Sequence, residues 1–375
     1  MLPHQELQLV YAGVSLAMTA VLWWGSGRFL PRERWILRAA IALFLVGAIG
    51  VWSQAALRFY TTGVSSFFIA VAITFYAAGF WLPVMLAATA IRGRGASPRK
   101  RAIALVLATT ALVIAFDAML VEPNRLVVRE ESVPLPAWPA GTPALRLAHL
   151  SDLQTVGPCD REQRALEILV HLAPDLIVVT GDYVAGPSFD TRPAEADAHA
   201  FLAALVRIAP TVVVAGHCED EIIRARIFDG LDLVYLEDGA RDFDFGGGRK
   251  LRVIGLDPFQ PDLRLPREPR PAGTALVVAT HPPDVTEDLT GMGVDLHLAG
   301  HTHGGQIALP FFGPPVTMTR LPRKYARGLF RFGDHWLDVC AGLGMEGNHA
   351  PRIRFLCPPE IVMLTLTGAG RGSPP

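Results

Sequence analysis

The chain has 375 residues, 51% of them apolar, and a formal net charge of −1 at pH 7. That length accommodates two domains, and the near-neutral charge gives no global argument for nucleic acid, so no nucleic-acid partner is expected. The four cysteines, Cys159, Cys218, Cys340 and Cys357, have neither CxxC nor zinc-knuckle spacing, and spacing alone does not separate disulfides from free thiols.

No charged residue occurs from Leu7 to Gly27, Ala39 to Leu57, Phe59 to Ile91 or Ala102 to Phe116. A bilayer core takes about 20 apolar residues per helix, and a buried soluble bundle would need polar faces that these segments lack. The expectation is an all-α membrane domain of four transmembrane helices over residues 1–122. No short basic region precedes the first span, which argues against a cleaved signal peptide. Pro83 predicts a kink or tilt in the long third span. Arg28, Arg32, Arg34 and Arg38 follow span one, and Arg92, Arg94, Arg99, Lys100 and Arg101 follow span three, whereas the link between spans two and three has only Arg58. By the positive-inside rule both basic loops are cytoplasmic, so both termini face outward. Asp117 then falls near the outer end of span four as an interfacial carboxylate.

Glu122 to Thr142, rich in proline and mixed charge, reads as the exit from the membrane, with Leu126-Val127-Val128 as an edge strand and the boundary at about Pro123. Beyond it, short apolar runs alternate with amphipathic stretches. Leu145–Leu150, Leu176–Thr180, Thr211–Ala215, Leu276–Ala279 and Asp295–Ala299 read as buried strands, and Asp160–Leu172 and Ala194–Ile208 as helices. Asp242–Phe245 and Leu251–Leu256 flank Gly246-Gly247-Gly248 as a hairpin. Trp336–Cys340 and Ile361–Leu366 are further strands. The pattern is that of an α/β layered domain over residues 123–367, followed by a disordered tail, 368–375.

Polar residues recur where those strands end. Ser151-Asp152-Leu153-Gln154 follows the first, Gly181-Asp182 the second, Gly216-His217-Cys218-Glu219 the third, His281 the fourth and Gly300-His301-Thr302-His303-Gly304-Gly305-Gln306 the fifth. Alternate residues of an extended segment point the same way, so His301 and His303 can face one site. In open α/β sheets ligands bind beyond the carboxyl ends of strands, and one carboxylate there is as readily a turn or cap as a ligand. Two aspartates and several histidines at five strand ends point to a metal centre.

Through His149-Leu-Ser-Asp-Leu, Thr180-Gly-Asp, Ala299-Gly-His-Thr-His-Gly-Gly-Gln, Leu309-Pro-Phe-Phe-Gly and Cys357-Pro-Pro-Glu-Ile, the chain resembles the calcineurin-like metallophosphoesterases, most closely their membrane-associated or exported bacterial branch. The resemblance runs from Arg125 to Leu366. It implies a four-layer αββα sandwich and two divalent ions of the Mn, Fe or Zn class, bridged by an aspartate and by the water or hydroxide that attacks phosphorus. Asp152 and His303 would hold the first ion, Asp182 would bridge, and His281 and His301 would hold the second. Paired ions lower the pKa of a bound water and clamp attacking and leaving oxygens.

Two departures stand out. The family reads Asp-x-His and Gly-Asn-His-Glu/Asp where this chain has Asp152-Leu-Gln154 and Gly216-His217-Cys218-Glu219. Gln154 offers only a weak amide oxygen to the first ion. His217 stands at the family's asparagine and could ligate the second ion, while Cys218 stands where a catalytic histidine steadies the leaving group. Shifting the alignment by one restores His217 to that catalytic role but leaves Gly216 at the ligand position. Arg320, Arg323 and Lys324, in a basic run with Arg327 and Arg331, are candidates for binding the substrate's phosphate or headgroup. Two functions follow. One is an integral protein of the bacterial cytoplasmic membrane whose outward-facing domain hydrolyses a phosphorylated small molecule or a lipid-linked phosphoester or pyrophosphate. The other is a degenerate domain that binds metal or a phosphorylated ligand as a sensor or partner module.

Overall fold

The computed structural model describes residues 4–29, 63–92, 97–185, 191–258, 270–347 and 350–369. They fall into two compact units, one within Met1–Val121 with Glu346–Ile353, the other within Glu122–Met345 and Arg354–Pro375.

The first unit is helical. His4–Phe29 is one helix, and Gly63–Tyr76 passes through a π-helical turn at Ala77–Trp81 into Leu82–Arg92. That turn lies just before Pro83, whose missing N–H and bulky ring disrupt the preceding hydrogen-bond ladder, so the expected irregularity takes the form of a π-turn. Pro98–Phe116 is followed by a second π-turn at Asp117–Val121. Ala104, Ala108, Ala115 and Ala118 are buried, while Val106, Leu107, Val113 and Phe116 are exposed. Small residues thus lie on the inner side of this helix and bulky apolar ones on its exposed side. Among the described residues Val71–Ala88 and Pro98–Asn124 are long and apolar enough to cross a bilayer; in the first helix the apolar stretch, Leu9–Leu22, is shorter. The span expected at Ala39–Leu57 lies outside the described residues.

The second unit is built on two six-stranded sheets. Its strands are β1 (Val127–Leu135), β2 (Leu145–Leu150), β3 (Leu176–Val179), β4 (Thr211–Val214), β5 (Val234–Leu236), β6 (Gly239–Asp244), β7 (Lys250–Gly255), β8 (Thr274–Ala279), β9 (Leu296–Ala299), β10 (Gly328–Phe332), β11 (His335–Val339) and β12 (Glu360–Gly368). The first sheet has the order β1-β12-β2-β3-β4-β5, the second β10-β11-β9-β8-β7-β6. Inward residues such as Leu147, Val178 and Val212 of the first sheet and Val253, Val277 and Leu298 of the second share one apolar core. The outer face of the first sheet packs Ile177 and Val213 against helices Asp160–Leu172, Arg192–Leu205 and Glu221–Phe228. On the outer face of the second sheet, Ile254 and Val278 pack on Leu289 and Val294, beyond the 3-10 turn Pro283–Thr286. Among the described residues, the fourth layer of the expected αββα sandwich is therefore a 3-10 turn and loop rather than an α-helix.

The expected edge strand at Leu126–Val128 is longer, running to Leu135 and pairing parallel with β12. Pro134 is tolerated because this strand lies at the sheet edge, where a missing donor spoils no ladder. The glycine hairpin is present, all three glycines at positive φ.

Candidate metal centre

The parallel strands of both sheets run toward one rim, and their ends supply the candidate ligands. Asp152 and Gln154 follow β2, Asp182 follows β3, and His217 and Cys218 follow β4, all from the first sheet. His281 follows β8, and His301 and His303 follow β9, from the second. Asp152, Gln154, Asp182, His301 and His303 have φ of 48°, 35°, 55°, 69° and 49°. Such left-handed positions cost non-glycine residues on the order of 1–3 kcal/mol each and persist where surrounding contacts over-determine them. Here the backbone is pinned, Asp152 N donating to Gly181 O (3.0 Å) and Gln154 N to Asp182 O (2.9 Å). Glycine is required at two approaches: a Cβ on Gly216 would collide with the Asp182 carboxylate, and one on Gly300 with Ser151 and Asp152.

Asp182 is at the middle. Its Oδ1 accepts from the backbone N–H of His217 (2.6 Å) and Cys218 (3.1 Å). Its Oδ2 meets the Gln154 amide nitrogen at 3.0 Å, His281 Nε2 at 3.2 Å and the Cys218 thiol at 3.3 Å. Burial alone would raise this carboxyl, but His281, His217 and His301 hold it well below the usual carboxylate range. Asp152, fully buried, accepts from His301 N at 3.0 Å through Oδ2 and faces His303 Nε2 at 3.2 Å through Oδ1; burial pushes its carboxyl up.

Opposite them, His217, His281 and His301 stand edge to face, with ring centroids 5.0, 5.0 and 5.1 Å apart. His281 Nδ1 lies 2.7 Å from the Thr180 carbonyl, which turns Nε2 toward the carboxylates. Burial would lower this imidazole, but Asp182 and Asp152 beside it raise it to about 10. His301 is lowered to about 4 by burial and by His281, and His303 falls well below its ordinary value through burial and Arg354. His217 is also lowered, chiefly by burial and His281.

A metal fits this arrangement. Ligating atoms of His217, His281 and His301 lie within 4.8 Å of one another, as do those of Asp152, Asp182 and His281. Asp152 Oδ1, buried, lies 3.2 Å from His303 Nε2 and 4.0 Å from His281 Nε2, which is itself 3.2 Å from Asp182 Oδ2. Buried polar atoms left converging in this way are satisfied by a cation between them, and mixed carboxylate and imidazole donors suit divalent ions.

Arg320, Arg323 and Lys324 are not drawn into the cluster. Arg320 bonds Asp284 through its backbone N (2.9 Å) and Nε (3.3 Å), Arg323 stacks 3.8 Å over the Phe312 ring, and Lys324 lies 4.7 Å over Tyr325. Their loop is nevertheless tied to the His-x-His turn, since His301 Nε2 meets Met318 O at 3.0 Å and Thr302 Oγ1 donates to Ala326 O at 2.6 Å. All four cysteines are free thiols.

Sequence motifs include His149 and Glu219 but do not show their supporting contacts. His149 bridges the two sheets, its Nδ1 2.6 Å from Asp338 Oδ2 and its Nε2 3.0 Å from Thr180 Oγ1. Arg129 donates to the other Asp338 oxygen at 2.7 Å; burial works to raise the Asp338 carboxyl, but Arg129 and His149 hold it low. Glu219 accepts from the N–H groups of Tyr183 (2.6 Å) and Val184 (2.8 Å), fixing the turn after Asp182, and burial with Asp182 nearby lifts it to about 8. The available signal was a lone carboxylate in an apolar strand, Asp338, and a histidine, His149, on the strand leading to Asp152.

Residues 145–305 match the sequence model of the family described as calcineurin-like phosphoesterase. The chain is 29% identical to an uncharacterized metallophosphoesterase of Bacillus subtilis, YkuE, over 66% of this chain and 88% of that one. It is 27% identical to the phosphodiesterase YaeI of Escherichia coli, over 54% of this chain and 74% of that one. It is 34% identical to the UDP-2,3-diacylglucosamine pyrophosphatase LpxG of Chlamydia trachomatis, over 24% of this chain and 28% of that one. With the strand-end carboxylates and imidazoles already in place, residues 145–305 form a calcineurin-like phosphoesterase domain.

Proposed function

We propose that the protein is a membrane-tethered, metal-dependent phosphoesterase acting on an envelope- or lipid-linked phosphoester or pyrophosphate, with residues 1–122 as its membrane domain and 123–367 as its catalytic domain. The observation that carries the reading is the meeting of carboxylates from one sheet with imidazoles from the other around Asp182. Asp152, His303, Asp182 and the Gln154 amide would hold a first divalent ion, and Asp182, His217, His281 and His301 a second. Bound there, the pair would supply Lewis acidity at the phosphoryl group and a more acidic water.

The protein's own part is positioning. Backbone donors from His217 and Cys218 fix the plane of the Asp182 carboxylate, which His281, His217 and His301 keep ionised. The Thr180 carbonyl orients His281, and the Met318 carbonyl holds His301 Nε2, so that Nδ1 would be the ligating nitrogen of His301. Low proton affinity at His217, His301 and His303 keeps those rings neutral, the state in which imidazole ligates.

Tethering is supported by the bulky apolar residues exposed along Pro98–Phe116 and by the arginine-rich links after spans one and three, which also favour an outward-facing catalytic domain. A lipid-linked substrate is supported by the tether and by the Chlamydia relative, named for a diacylated sugar nucleotide. One contact favours the alternative of a binding module without turnover: the Cys218 thiol lies against the Asp182 carboxylate, where it is a poor proton donor to a leaving group. The deciding experiment is metal analysis of the purified full chain beside its hydrolysis of an aryl phosphodiester. Two ions per chain with turnover supports the enzyme; bound metal with no turnover selects the binding module.

A further inference from the structure

The loop leaving the His-x-His turn has a surface that the metal centre does not use. From His301 to Gly333 the sequence contains no Asp or Glu, yet it carries Arg320, Arg323, Lys324, Arg327 and Arg331. Leu309, Phe312, Val316 and Met318 are exposed, and Phe311 is 111% exposed, as open as a residue can be. A large apolar patch held in water marks an interaction site rather than ordinary surface.

The tip is built to keep that shape. Leu309 and Gly313 exchange both backbone hydrogen bonds at 2.9 Å, and Phe312 N donates to Leu309 O at 3.2 Å. Phe311 is held at a φ of 64°, a conformation its side chain disfavours. Pro310, Pro314, Pro315 and Pro322 stiffen the rest, and buried Leu321 anchors the return against Leu337 and Val339. The exposure of both phenylalanines thus belongs to a preformed turn.

Its charge names the partner. Arg323 lies over the Phe312 ring at 3.8 Å, so cation and apolar surface are presented together. Asp284 balances Arg320 and Glu360 balances Arg327, which leaves Arg323 and Lys324 as the positive charge beside the aromatic tip. Exposed rings flanked by cations match an interface whose headgroups carry phosphate and whose interior is hydrocarbon.

We propose that Leu309–Lys324 is a docking lip that seats on an anionic bilayer, Phe311 and Phe312 entering the interface while Arg323 and Lys324 meet lipid phosphates. Because the same loop contacts His301 through Met318, seating would hold the metal centre at the surface where a lipid-linked phosphoester resides; that consequence rests on the phosphoesterase reading.

The test places a polarity-sensitive fluorophore at position 311 of the full chain, as Phe311→Cys in a Cys159→Ser background, since Cys159 is the exposed native thiol. The comparison probe is Val170→Cys, on the exposed side of helix Asp160–Leu172. Both chains are reconstituted in nanodiscs of phosphatidylcholine alone or mixed with phosphatidylglycerol, some carrying nitroxide-labelled lipid, and metal content verifies folding. The expected result is a blue shift and several-fold stronger quenching at 311 than at 170, lost in the uncharged bilayer and weakened by Arg323→Glu with Lys324→Glu. Equal, water-like signals at both positions would overturn the lip, and equal insertion into uncharged bilayers would overturn its recognition of anionic lipid. Hydrolysis of a soluble aryl phosphodiester by the unlabelled chain is read in parallel. Turnover without insertion refutes the lip and spares the phosphoesterase; insertion without turnover does the reverse.

Discussion

On one side of Asp182 stand three imidazoles, His217, His281 and His301, each about one ring's width from the next. On the other side stand a carboxylate, an imidazole, an amide and a thiol: Asp152, His303, Gln154 and Cys218. Against the family pattern, the first side has exchanged a weak asparagine ligand for an imidazole, whereas the second has exchanged an imidazole for an amide. With Cys218 standing at the family's catalytic histidine, one imidazole is gained on the first side and two are replaced on the second, so the losses gather on one side. That is a different situation from a site in decay, in which losses would be scattered over both sides.

The strongest way to break this comparison is at the residue both sides share. Asp182→Ala is expected to empty both sites and to reduce turnover by at least the ~10²–10³-fold that loss of one transition-state-stabilising group costs. Metal analysis of the purified variant gives the answer; full stoichiometry would remove Asp182 from the bridge.

The next test separates the sides. His217→Ala is expected to weaken the second site by about 10–100-fold, in the range seen when a group supporting a metal is lost, and to leave the first unchanged. His217→Asn, the family's residue, should recover part of that affinity through its amide oxygen. If metal titrations of the wild type and both variants coincide, His217 is not a ligand and the three-imidazole side is a packing arrangement.

Much of this centre was legible in the sequence because strand ends are local. An apolar run followed by Asp-x-x or His-x-His marks a rim position whatever the rest of the chain does, and the two sheets bring five such ends together. Partnerships across the sheets were not legible in the same way. His149 and Asp338 are 189 residues apart and pair only because β2 and β11 face each other through the shared core. β5 has three residues and β10 a periodicity blurred by half-burial throughout, so neither carried a strand pattern of its own. The Arg323–Phe312 stack depends on the fold of a proline-rich loop, which composition marks but does not shape.

A smaller effect is expected from repairing the weaker side. Gln154→His should raise first-site affinity by about tenfold, the lower end of what ligand support is worth, because neutral imidazole is the better donor for Mn, Fe or Zn. Cys218→His should raise turnover for poor leaving groups by up to about 10²-fold, toward the lower end of general acid catalysis, and hardly at all for an activated aryl ester. Steady-state rates across a leaving-group series are the measurement. Loss of a measurable wild-type activity in both variants would show that the amide and thiol form a working site of their own.

The smallest effect lies outside the centre, in a second pair of carboxylates. Glu162 and Asp197 line a pocket of about 310 Å³ between helices Asp160–Leu172 and Arg192–Leu205, and Thr155 Oγ1 donates to Asp197 at 2.5 Å. Burial first, then the Asp197 carboxylate, raises the Glu162 carboxyl from 4.5 to about 7. Below pH 4.5 the folded and unfolded chains both hold this proton, so stability is unaffected. Between 4.5 and 7 only the folded chain holds it, and stability falls as pH rises; above 7 the loss is complete and level. The full shift caps the effect at about 3 kcal/mol, and solvent near the pocket reduces it to on the order of 1–2 kcal/mol. Glu162→Gln removes the titrating group, so the variant should gain on the wild type across that window and remain ahead at pH 8. Unfolding of the two full chains, compared at each pH so that all other titrations cancel, is the measurement. A difference that does not change between pH 4.5 and 8 would mean that Glu162 binds its proton no more tightly in the folded chain than in the unfolded one.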